Sequence, residues 1–236
     1  MEAILRIAPE LLMFLPAGRR SETRAIAPDG SSTLGHHVES AGIPLTEVGP
    51  MTVDGRGVTP AYQPRPGDVV DVEAVPRPQP LPAEPRFLLD VHLGTLARRL
   101  RLLGLDTAYH NDMDDPSLVA QANAERRVLL TQDRGLLHRR ALWFGAYVRG
   151  SRAPAQLRDL LERFTPPLRP WTRCTSCNGE LATVAKRDVA SLLRDGTRRS
   201  YDAYGRCREC GQVYWHGAHS GDLEEIIRSA REWVAG

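Results

Sequence analysis

Residues 86–140 read RFLLDVHLGTLARRLRLLGLDTAYHNDMDDPSLVAQANAERRVLLTQDRGLLHRR. The apolar run Phe87–Leu89 has strand character and stops at Asp90. Leu93, Leu96, Ala97, Leu100 and Leu103 then recur at intervals of three and four, the spacing of one helical face, and Gly104 ends that helix. The stretch TAYHND, 107–112, suits a second strand with an acidic end. Asp115 or Ser117 can cap the next helix, whose apolar residues are Leu118, Val119 and Ala122. Arg127–Thr131 returns as a third strand, and Asp133 follows it. Strands alternating with helices predict a parallel α/β sheet.

Ligands of such sheets collect at the carboxyl ends of the strands. Asp90 and Asp133 fall at such ends, and Asp112, Asp114 and Asp115 lie just beyond another. Carboxylates converging on one point repel each other unless a cation neutralises them, and hard oxygen donors suit Mg²⁺ or Mn²⁺. A site of that kind activates water and stabilises the in-line displacement of a phosphodiester. Any one of these aspartates could serve only as a helix cap. Their combination between positions 90 and 133 points to a metal site. Arg98, Arg101, Arg134, Arg139 and Arg140 stand nearby as candidate phosphate holders, because a guanidinium grips phosphate through two parallel hydrogen bonds.

The chain has 236 residues, 42% of them apolar, which allows more than one core. No stretch approaches the ~20 apolar residues of a membrane span, and no basic-then-apolar leader opens the chain. The expectation is a cytoplasmic protein with no membrane partner and no nucleotide cofactor. The net charge of +2 hides an asymmetry. Residues 1–75 carry six basic against ten acidic side chains, residues 86–165 thirteen against nine, and residues 166–236 eleven against nine. Only the later parts favour a polyanion.

The proline-rich stretch VPRPQPLPAEPR, 75–86, reads as a semi-rigid linker. Three modules result: 1–76, then 86–165 after the 77–85 linker, then 170–225 with a terminal helix to 236. In the first, AILRIA (3–8) and a stretch around Thr23–Ala27 are strand-like. SSTLGHHVESAGIP is a helix capped by Ser32 or Thr33, Asp54-Gly55 is a hairpin turn, and Val69–Val75 is a final strand after Gly67-Asp68. This α+β order resembles the ubiquitin-like β-grasp domains of the sulfur-carrier type. Carrier chemistry needs a free terminal Gly-Gly, and here the last strand runs into proline. The module is therefore expected to bind a protein partner or act as a scaffold. His36 and His37, adjacent on the helix, do not share a face and read as surface residues.

Cys174-x-x-Cys177 and Cys207-x-x-Cys210 form the strongest local signal. Each pair makes a tight turn, helped by Gly179 and Gly211, that aims two thiolates at one ion. Four cysteines close a tetrahedral Zn²⁺ site and leave no open position, so the role is structural. Lys186 and Arg187 open a basic excursion between the pairs, and Tyr214, Trp215 and His216 follow the second pair. These side chains can contact RNA phosphates and stack bases, or pack over the ribbon.

In combination, FLLDVHLGTLARRLRLLGLDT, DDPSLVAQA, RVLLTQDRGLLHR, RCTSCNGEL and CRECGQVYWHGAHSGDL resemble the Mut7-C ribonuclease domain, a PIN-like fold with an appended zinc ribbon. Members with an N-terminal ubiquitin-like domain are known. The resemblance implies a Mg²⁺- or Mn²⁺-dependent ribonuclease in which Asp90, Asp115 and Asp133 are the catalytic acids. It implies further that Thr131 orients Asp133, and that Asp112 and Asp114 are additional metal ligands. Arg99 stands where the family usually has an aromatic residue, which bears on packing and not on the acids. The alternatives are a non-catalytic RNA-binding or ribosome-associated protein, or an adaptor working through its β-grasp domain.

Overall fold

The computed structural model describes residues 1–193, 203–215 and 220–235. They form two compact units: Met1–Gln79 with Asp133–Tyr147, and Pro80–Gln132 with Val148–Gly236.

The first unit opens with β1 (Ala3–Ile7), β2 (Thr23–Ile26), α1 (Leu34–Ser40), β3 (Val48–Val53), β4 (Arg56–Val58) and β5 (Val69–Ala74). Its sheet order is β2-β1-β5-β3-β4, with β1 and β5 parallel and the other pairs antiparallel. Alternation along β1 buries Ala3, Leu5 and Ile7 in a core shared with Leu34, Val38 and Ile43, while Ile4 and Arg6 face solvent. Thr33 caps α1 by accepting from His36 N. The β3–β4 turn places Asp54 at φ 49° and Gly55 at φ 76°, the left-handed pair of a type I′ hairpin. Before β5, Asp68 accepts hydrogen bonds from the Tyr62 hydroxyl and from Arg65 N, both at 2.8 Å. This is a β-grasp arrangement.

The second unit begins with β6 (Arg86–Leu89), α2 (Gly94–Leu102), β7 (Asp106–Tyr109), α3 (Asp115–Glu125) and β8 (Val128–Thr131). Strand β6 runs parallel to β7 on one side and to β8 on the other. Phe87, Leu88, Leu89 and the whole of β8 are buried, as strands covered on both faces require. Asp90 N donates to Leu130 O at 3.0 Å, which extends the β6–β8 ladder to the acid itself.

Two short elements then belong to the first unit: α4 (Arg134–Leu137) and β9 (Gly145–Tyr147). Arg134 donates to Phe14 O and Met13 O at 2.8 and 2.9 Å, and its guanidinium lies 5.4 Å from the Phe14 ring centre. Tyr147 N donates to Glu47 Oε1 at 2.8 Å, and the Tyr147 ring meets Phe14 edge-on.

The second unit continues with α5 (Ala153–Phe164), β10 (Leu181–Val184), α6 (Lys186–Val189), β11 (Tyr204–Cys207), β12 (Val213–Trp215) and α7 (Ser220–Ala235). Strands β10, β11 and β12 form an antiparallel ribbon. Helix α7 turns back to pack on α5 and α2, burying Ile227 and Ala230. No helix among the described residues is long and apolar enough to cross a membrane.

Candidate active site and metal centre

Asp90 is 9% exposed just beyond the end of β6, where two donors hold its carboxylate. Thr131 Oγ1 donates to Oδ2 at 2.6 Å, and Val91 N donates to Oδ1 at 2.6 Å. Parallel pairing brings this about: Leu89 sits opposite Leu130, so the next residue along each chain segment, Asp90 after β6 and Thr131 at the end of β8, stands beside the other. Thr131 itself is fully buried. Its hydroxyl, expected from sequence to orient Asp133, is directed to Asp90. Asp133 is exposed and caps α4, accepting from Gly135 N at 2.7 Å.

In the 112–115 cluster, Asp114 is the helix cap, taking Ser117 N at 2.9 Å, where sequence suggested Asp115 or Ser117. Hydrogen bonding from the Ser117 hydroxyl and then from its backbone N holds the Asp114 carboxyl below the usual carboxylate range. Asp115 occupies the first turn of α3, and Asp112 is exposed beyond β7.

Among the basic residues, two are committed to backbone carbonyls and others are exposed. Arg101 is 4% exposed and donates to Thr107 O, Thr175 O and Ser176 O, at 2.9, 3.3 and 2.7 Å, so it ties the sheet to the first cysteine turn. Arg134 is committed to the Phe14 and Met13 carbonyls described above. Arg98, Arg139, Arg140 and Arg187 are exposed. His216, and the excursion beyond residue 193, lie outside the described residues.

The four cysteine sulfurs lie within 4.8 Å of one another. Cys174 and Cys210 are 3.6 Å apart, and Cys177 and Cys207 3.4 Å. A tetrahedron with Zn–S of about 2.3 Å has edges of about 3.8 Å, whereas a disulfide needs about 2.05 Å. Cys177 N points at Cys174 Sγ and Cys210 N at Cys207 Sγ, each at 3.5 Å, an arrangement that favours thiolates. Tyr214 lies with its hydroxyl 3.0 Å from Cys174 Sγ. Burial, then its contact with Cys174, pushes the phenol up to about 12, so it stays protonated as a donor to that sulfur. A Cβ on Gly179 would come within 2.9 Å of Cys207 Sγ, so glycine leaves room for the cluster. The donor set fits one structural Zn²⁺. Among the described residues no second group of three or more His, Cys, Asp or Glu side chains gathers this closely.

Sequence reading missed the attachment of this centre to the sheet. Asn178, at φ 72°, accepts from Thr107 N through Oδ1 and donates to Asp106 Oδ1 through Nδ2, at 2.9 and 2.8 Å. Asp106 also receives Arg127 Nη1 at 2.7 Å, and Arg173 lies 3.7 Å away. Burial pushes the Asp106 carboxyl up, but the bonds from Arg127 and Asn178 and the charges of Arg127 and Arg173 outweigh it and hold it at about 2.

Comparison with known families gives two matches. Residues 85–227 match the family described as the Mut7-C RNAse domain, and residues 1–80 match the Mut7-C ubiquitin domain. No curated protein and no solved structure matches the chain.

Proposed function

Because this chain belongs to the Mut7-C RNAse domain family, we propose that it is a metal-dependent endoribonuclease hydrolysing RNA phosphodiester bonds around Asp90. The hydrogen bond from Thr131 to Asp90 carries this reading. Each oxygen of Asp90 receives one donor and keeps a second acceptor site, so the carboxylate is oriented while retaining capacity for a cation. Mg²⁺ is commonly held by one or two carboxylates plus substrate phosphate, so the site does not require three acids in contact. In this reading the ion, Mg²⁺ or Mn²⁺, would supply charge neutralisation and an activated water.

Asp133, two residues beyond Thr131 in the chain, is the second acid by motif position, and Asp115, Asp112 and Asp114 are further ligands. The exposed Arg98, Arg139, Arg140 and Arg187, with Lys186, Tyr214, Trp215 and His216, are read as RNA contacts. Arg101 and Arg134 are read as framework. Zn²⁺ at Cys174, Cys177, Cys207 and Cys210 fixes the ribbon that carries part of this surface. The Mut7-C ubiquitin domain is read as a protein-binding element. A thiolate cluster of this type suits a reducing, cytoplasmic setting. Cleavage of a labelled RNA pool in Mn²⁺ by the full chain, compared with Asp90→Asn, tests the proposal. RNA binding by both with cleavage by neither would leave a binding protein.

A further inference from the structure

A polar cleft of about 590 Å³ opens in the second unit between the carboxyl end of β7 and the first cysteine turn. Its lining includes Arg98, Tyr109, His110, Asn111, Asp112 and Ser176. Its walls are fixed. The Tyr109 hydroxyl donates to Val91 O at 2.7 Å. A Cβ on Gly94 would stand 2.7 Å from that hydroxyl oxygen, so glycine allows α2 to start against the ring. On the opposite wall, buried Arg101 grips Thr175 O and Ser176 O, and Asn178 pins the same turn to Thr107 N.

The lining carries a cationic group beside neutral hydrogen-bonding groups. The exposed guanidinium of Arg98 has a long contact, 3.4 Å to Thr95 Oγ1, and is well suited to a phosphate. The His110 imidazole stands with it on the lining. The Asn111 amide and the Ser176 hydroxyl offer the mixed donors and acceptors that a ribose 2′-hydroxyl pairs with, while the Thr175 hydroxyl lies 3.2 Å from that of Tyr214. The Asp112 carboxylate on the same lining repels phosphate and so favours its placement toward Arg98. The cleft is also well placed. Tyr109 pairs with Leu89 in the parallel register, so it lies one strand spacing, about 5 Å, from the strand that ends at Asp90.

We propose that this cleft is a ribose-phosphate subsite for single-stranded RNA, holding a nucleotide that adjoins the bond cleaved at Asp90. The inference rests on the ribonuclease reading for its register, but binding can be measured apart from cleavage. The zinc turn is then a wall of the substrate site as well as a fold element.

The test measures anisotropy of a labelled single-stranded RNA and its DNA counterpart on the full, zinc-loaded chain, between 50 and 200 mM salt, a range over which each phosphate contact changes affinity by about threefold. Arg98→Ala and His110→Ala are compared with Arg158→Ala, an exposed control on α5. The subsite predicts roughly tenfold weaker RNA binding for Arg98→Ala, a salt slope lower by about 0.7, and wild-type affinity for Arg158→Ala. It also predicts that wild type prefers RNA over DNA and that His110→Ala narrows this preference. Unchanged RNA affinity in Arg98→Ala, or an equal loss in Arg158→Ala, overturns it. If wild type binds in this pattern but does not cleave, the subsite stands and the nuclease reading fails. If it cleaves while Arg98→Ala binds normally, the reverse holds.

Discussion

Thr131 Oγ1 donates to Asp90 Oδ2 at 2.6 Å, joining the ends of two parallel strands through a buried hydroxyl. The bond orients the carboxylate without occupying all of its acceptor capacity. Thr131→Val keeps the shape and removes the donor. Cleavage of RNA in Mn²⁺ is expected to fall about tenfold, with folding retained and stability reduced by about 1 kcal/mol. Thr131→Ser should recover most of the rate, measured in single-turnover reactions.

Asp106 anchors a charged cluster that ties β7 to Arg127, Arg173 and Asn178. Its carboxyl is held at about 2 against an ordinary value of 3.8. A group with a depressed folded value stabilises fully above its unfolded value, and that contribution is lost as pH falls through the folded one. The window is therefore pH 4 down to 2, and the contribution about 2 kcal/mol. Asp106→Asn should cost about 3 kcal/mol at neutral pH, since it also leaves buried Arg127 short of a partner. The difference from wild type should shrink in urea melts carried toward pH 2.

Zinc release and the Arg101 bridge should act on the same segment. The chain is expected to carry one zinc, and chelation should abolish protection of amides 174–181 and 204–215 from hydrogen exchange. Arg101→Ala, which strands three carbonyls, should lower stability by about 3 kcal/mol and raise exchange at 175–178 while zinc stays bound. Retained protection after complete zinc removal would contradict the structural role of the metal.

Arg134 was expected to hold phosphate, and its bonds to Phe14 O and Met13 O give it a different task. Arg134→Ala should destabilise the first unit by about 2 kcal/mol and leave RNA affinity within about twofold of wild type. Differential melting and anisotropy separate the two effects.

The elements that sequence revealed are those written in short-range periodicity. The Leu93–Leu103 spacing predicted α2, Asp54-Gly55 the I′ hairpin, and the two Cys-x-x-Cys pairs the sulfur cluster. The family of the chain and the order of its modules were likewise legible from its combined motifs. Helix α5 lay outside those expectations, although Leu157, Leu160, Leu161 and Phe164 repeat at helical spacing and are buried. What no local pattern carries is pairing at distance. Asp106 reads as an ordinary polar residue at a strand start, yet its partners Arg127 and Asn178 are 21 and 72 residues along the chain. The bond from Thr131 to Asp90 escaped the sequence for the same reason. Asp133 is two residues away in sequence, whereas Asp90, 41 residues away, is adjacent through strand pairing.

The central claim, that Asp90 is at the centre of a metal-dependent ribonuclease site, meets its most direct test in RNA cleavage by purified full-length chain. Mn²⁺ is titrated into wild type and Asp90→Asn, with Zn²⁺ content and thermal midpoint checked in both. The account predicts Mn²⁺-dependent internal cleavage by wild type and a loss of about a hundredfold or more in Asp90→Asn, with zinc and fold unchanged. Cleavage at equal rates by both proteins, or by wild type without any dependence on a divalent ion, would contradict it.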